Sequence, residues 1–135
     1  MAKPKKPPPV PYLDRMLFEG PIRYSLCITE EQYTAEMERL RAPVRPLPPW
    51  VSSGAGATVH HLEDSDGERV AVVCLDPSKY KTGPCLASSL VHEAVHIWQE
   101  TKRYIGELNP SDEFEAYAIQ FLSWRLMQSY ADQTS

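Results

Sequence analysis

The chain has 135 residues, 42% hydrophobic and 24% charged, a balance that supports one compact core and excludes collagen-like, mucin-like and wholly disordered chains. Lys and Arg number 14 against 18 Asp and Glu, for a net charge of -4, which argues against a partner held by phosphate neutralisation, so nucleic acid is not expected. No run approaches the roughly 18 apolar residues of a membrane span and the start carries no secretory-type apolar stretch, so a cytoplasmic chain without membrane contact is expected.

Residues 1–12 hold Pro4, Pro7, Pro8, Pro9 and Pro11 with Lys3, Lys5 and Lys6, a composition that predicts a Pro/Lys-rich flexible tail. Those lysines are the only charges there, so residues 13–135, read as a single domain, carry -7. Thr29 followed by Gln32 fits a capping box, and Tyr33, Met37 and Leu40 recur at helical spacing, predicting a helix over 30–41 that Pro43 stops. Pro43, Pro46, Pro48 and Pro49 then impose an extended connector. The β-rich runs 58–63 and 69–75 flank Ser65-Asp66-Gly67, which predicts a hairpin. The second run, Val-Ala-Val-Val-Cys-Leu, is apolar on both faces and reads as an interior strand, the first as an edge.

A long helix is expected from Pro84 to Gly106. A last helix is expected to be capped by Asn109, to take Pro110 at its first position and to run to about Tyr130. The order helix, hairpin, helix, helix defines an α+β chain. Cys27, Cys74 and Cys85, odd in number and without CxxC spacing, read as reduced and mostly buried thiols.

The chemistry-bearing motif is His92-Glu93-Ala94-Val95-His96, an HExxH pattern within the long helix. Residues four apart project from one helical face, so both imidazoles can grip one metal ion, while Glu93, about 100° round, stays free to act on a metal-bound water. On a helical wheel the histidines lie opposite the stripe of Leu86, Leu90, Val91, Ala94, Val95, Ile97 and Trp98, and so face a cleft. Glu115, with Ala118, Ile119, Leu122 and Leu126, belongs to the packing stripe of the last helix. A carboxylate there costs several kcal/mol unless it is paired or metal-bound. This makes Glu115 the expected third ligand, with Asp112 and Glu113 as alternatives.

HExxH, eighteen residues, then Glu115 resembles the gluzincin pattern of thermolysin-like and aminopeptidase-type zinc metallopeptidases. The resemblance covers about 84–130 and implies a minimal zincin-like domain. Such a domain has a small mixed or antiparallel sheet packed on the HExxH helix and an edge strand that pairs with an extended peptide. It also implies Zn²⁺ held by His92, His96, Glu115 and a water, with Glu93 as the general base of peptide-bond hydrolysis. A peptide or protein substrate is thus expected, with a protein partner completing the cleft.

Two departures bear on activity. Ile119 stands where such relatives carry an acidic residue that orients a ligand. No clear oxyanion donor follows Glu115, which leaves Tyr80, Tyr104, His60 and His61 as candidates beside Tyr117 and Tyr130. The runs LVHEAVHIWQ, EFEAYAIQ and MQSYADQ are similar to small, uncharacterised proteins encoded by phages and prophages. A non-catalytic, zinc-stabilised phage structural or interaction protein is the alternative reading.

Overall fold

The structure, a computed structural model, describes residues 3–13 and 20–135. It is a mixed α+β fold of three strands and three helices, in the order β1 (Ile22–Cys27), α1 (Glu30–Arg39), β2 (Ala57–Glu63), β3 (Arg69–Leu75), α2 (Gly83–Tyr104) and α3 (Asp112–Thr134). β3 is central: β1 pairs with it in parallel, Ile22 opposite Arg69 through Cys27 opposite Cys74, and β2 pairs antiparallel, Ala57 opposite Leu75 through Glu63 opposite Arg69. The run read as an interior strand therefore is one, and β2 is the edge strand expected.

The two apolar faces of β3 seat two different layers. Ala71, Val73 and Leu75 pack with Ile22, Tyr24 and Leu26 against Leu90, Ala94, Ile97 and Trp98 of α2 and Leu122 and Leu126 of α3. Val70, Val72 and Cys74 face Tyr33 and Met37 of α1 on the other side. Alternation along a strand sends odd and even residues to opposite faces, and a strand covered on both must be apolar throughout. Cys27 and Cys74 are buried free thiols, while Cys85 is exposed.

Local signals place the elements. The Thr29 hydroxyl accepts from Gln32 N at 3.1 Å and the Gln32 side chain accepts from Ile28 N at 2.7 Å, satisfying donors at the start of α1 that the helix itself cannot. In the hairpin turn, Asp64 Oδ1 accepts from Asp66 N and Glu68 N, both at 2.9 Å, and Gly67 takes a φ of 80°, a conformation glycine adopts without steric cost. Thr82 caps α2 through Cys85 N at 3.2 Å.

Three expectations change. β1, to which no element was assigned, is a strand. α3 is capped by Ser111 rather than Asn109, its hydroxyl accepting from Phe114 N at 3.2 Å, so Pro110 lies before the helix. The proline-rich segment is fastened at its far end: Val10 is buried beside α1, Lys6 pairs with Glu38 at 3.0 Å, and Arg39 donates to Pro7 O at 3.2 Å. Tyr12 forms an antiparallel bridge with Ser25 on the outer side of β1. Among the described residues no helix is long and apolar enough to cross a membrane.

Candidate active site

α2 carries the motif on a face set by its own buried stripe. Leu86, Leu90, Ala94, Ile97, Trp98 and Thr101 are buried, which turns His92 and His96, roughly opposite on the wheel, outward as exposed side chains. Their Nε2 atoms lie 3.1 Å apart and their rings meet edge-on with centroids 4.8 Å apart. His96 Nδ1 lies 3.1 Å from Gln99 Oε1, a contact that fixes the ring and leaves Nε2 directed at His92.

Glu93 lies between these two faces and is only 4% exposed. Burial raises its carboxyl above the usual range, a tendency that the neighbouring His92 and His96 oppose. It nevertheless lines the same cleft as the two histidines. That cleft, of about 390 Å³, is bounded by Ala57, Val59 and His61 of β2, by Ser52 and Ala55 of the preceding loop, and by Gln99 and Arg103 of α2. Between Ala55 and Ala57, a Cβ at Gly56 would collide with the Tyr80 ring, whose hydroxyl lies 2.5 Å from Ser89 Oγ on α2.

The third residue expected at the site is elsewhere. Glu115 Oε2 accepts from the Trp98 indole N–H at 2.7 Å and from Lys102 Nζ at 3.2 Å. Trp98 and Lys102 share a face of α2 about 120° round from the His92–His96 pair. A carboxylate clamped there is not brought to the imidazoles. The reason is packing: α3 lies against the buried stripe of α2, so the start of α3 meets Trp98 and Lys102 before it can reach the open face. Those two donors hold the Glu115 carboxyl below its usual range. The premise that Glu115 needs a partner holds, but the partners are an indole and an ammonium. Asp112 and Glu113, the alternatives, are exposed at the first turn of α3. Among the described residues no group of three or more His, Cys, Asp or Glu side chains is set to hold a metal ion.

Of the oxyanion candidates, the cleft receives one. Ala57, Val59 and His61 share the α2-facing side of β2, and His61 continues that face beyond the core. His60 points the other way, its Nε2 2.9 Å from Trp50 O and its ring 4.9 Å from that of Tyr33. Tyr80 is engaged by Ser89, and the Tyr104 ring lies under the Arg69 guanidinium at 4.7 Å. The protein crowded around the His61 ring lowers its pKa; Glu100 opposes this, and His96, Arg103 and Arg69 reinforce it. The alternation of β2 was the signal that marked one of the adjacent histidines as inward; which one follows only once the strand is seated on β3.

Two imidazoles 3.1 Å apart suit one divalent cation, since ligands about 2.05 Å from a tetrahedral zinc lie about 3.3 Å from each other. No family model, no curated protein and no solved structure matches the chain.

Proposed function

We propose that the chain is a zinc-dependent hydrolase of peptide bonds, with His92 and His96 holding the ion and Glu93 serving as general base. The observation that carries this is the placement of a buried carboxylate in the cleft onto which two convergent, accessible imidazoles open. A catalytic base needs its pKa brought toward neutrality, and desolvation of Glu93 acts in that direction. Zinc held there would supply the Lewis acidity that makes water a nucleophile near neutral pH and polarises a carbonyl.

The residues supply the rest. Glu93 takes a proton from the attacking water as its oxygen bonds to the scissile carbonyl carbon and the C=O electron pair moves to oxygen. As that pair returns and the C–N bond breaks, Glu93 passes the proton to the departing amine. β2 is the end strand of the sheet and walls the cleft above α2, so an extended peptide can lie beside it as an added strand. In this reading the similarity to gluzincins extends to the HExxH helix and the edge strand, and Glu115 serves as a tie between helices.

A second reading, a non-catalytic zinc-stabilised phage protein, draws on the engagement of Glu115 by Trp98 and Lys102. The two part on one experiment: zinc-loaded protein and its Glu93→Gln variant are assayed on denatured casein. Hydrolysis by the first, abolished in the second with zinc content unchanged, supports the hydrolase. Equal activity in both, or none in either, refutes it.

A further inference from the structure

We propose that Cys27 and Cys74 form a disulfide site, closed when the folded chain meets an oxidised low-molecular-weight thiol such as glutathione disulfide. The inference is independent of the hydrolase reading and rests on the sheet. The chain has three cysteines, and the parallel pairing of β1 with β3 sets two of them opposite each other although they lie 47 residues apart.

Residues opposite one another on hydrogen-bonded strands have Cα atoms about 4.8 Å apart, inside the roughly 4.4–6.8 Å that a disulfide spans. Such partners also project from the same face. Here it is the face toward α1, where both thiols sit with Val70, Val72, Tyr33 and Met37. The two thiols hydrogen-bond each other. Theirs is the last pair of the ladder, and beyond Cys27 the backbone leaves for the cap of α1 at Thr29, with no further rung to oppose the small adjustment that closing the bond requires. Cys85, by contrast, is exposed at the first turn of α2.

Burial pushes the Cys74 thiol above the ordinary range, and Cys27 beside it adds to this, so that group reacts slowly while α1 covers it. Local lifting of α1, a helix of ten residues, is the route of access. One thiolate then attacks a sulfur of glutathione disulfide, whose S–S bond breaks and releases a first glutathione. The second thiolate attacks the protein sulfur of the mixed disulfide, forming the Cys27–Cys74 bond and releasing the second glutathione. The protein gives up two electrons and two protons, which the two glutathione thiols take up. The bond ties β1 to the central strand and removes loop freedom from the unfolded chain, an effect that for a loop of this length raises the melting temperature by about 10 °C.

In the test, the full chain is incubated in native buffer with glutathione disulfide, digested without reduction and read by mass spectrometry. Expected are peptides joined through Cys27 and Cys74, a melting temperature about 10 °C above that of the reduced chain, and reversal of both by dithiothreitol. Cys85→Ser should keep the bond and lose only the glutathione carried on Cys85, whereas Cys27→Ser should show no joined peptides. Failure to join Cys27 to Cys74 under native conditions, in the parent chain and in Cys85→Ser alike, overturns the proposal. A bond that forms only after unfolding in urea, or one that lowers the melting temperature, overturns it too.

Discussion

Replacing Leu90 by Ala tests the rotational setting of α2 on which the site depends. Leu90 is 0% exposed and lies in the cluster that joins α2 to Ala71, Val73 and Leu75 of β3 and to Leu122 and Leu126 of α3. Removing a leucine side chain from such a place costs about 3 kcal/mol, the transfer term plus a cavity that rigid neighbours cannot close. A chain of 135 residues unfolds with an entropy of about 0.28 kcal/mol/K, so the melting temperature should fall by about 10 °C. Ser88→Ala, two residues away on the exposed side with its hydroxyl bonded only to Cys85 O, should move it by no more than about 2 °C. Thermal unfolding followed by circular dichroism reads both. A loss below about 1 kcal/mol for Leu90→Ala, or a larger one for Ser88→Ala, would mean that α2 is turned about its axis and that His92 and His96 do not face the cleft.

Further outcomes follow from other contacts. Glu115→Gln should lower stability at neutral pH with zinc content retained: the Trp98 indole and the Lys102 ammonium hold the Glu115 carboxyl below its ordinary 4.5, so its stabilisation is full above that range and is lost as pH falls through the lowered value, and the melting curves of parent and variant should draw together as the pH is lowered through the acid range. Ser111→Ala should cost about 1 kcal/mol in denaturant unfolding by leaving Phe114 N without its acceptor. Gly56→Ala should destabilise the chain, lowering its melting temperature in thermal unfolding, because Tyr80 must leave its place against Ser89 to admit the methyl.

What the sequence made legible was whatever is written in local periodicity. α1, the hairpin and α2 follow from capping residues, an Asp-Gly turn and 3.6-residue repeats, each an interaction between near neighbours, and the outward face of His92 and His96 follows from the apolar stripe of their own helix. β1 escaped because its alternation is broken: Ile22, Tyr24 and Leu26 are buried on one face, but so are Ser25 and Cys27 on the other. Its pairing partner, β3, lies 47 residues on in the chain. No local pattern announces a parallel pairing of that kind.

Glu115 shows the second limit. Sequence established that a carboxylate on a packing stripe requires a counterpart, yet which counterpart depends on where α3 crosses α2, and that crossing puts Trp98 and Lys102 nearer than the histidines. The adjacent pair His60 and His61 makes the same point. Strand alternation assigns them to opposite faces, and only the seating of β2 on β3 decides that His61 enters the cleft while His60 turns to Trp50.

Zinc content by elemental analysis, after dialysis against metal-free buffer and reloading with one equivalent, tests the account where it is most exposed. About one zinc per chain is expected in the parent protein and in Glu115→Gln, with little or none in His92→Ala and His96→Ala. Equal metal in the parent and the histidine variants, or loss of metal with Glu115 alone, would contradict it.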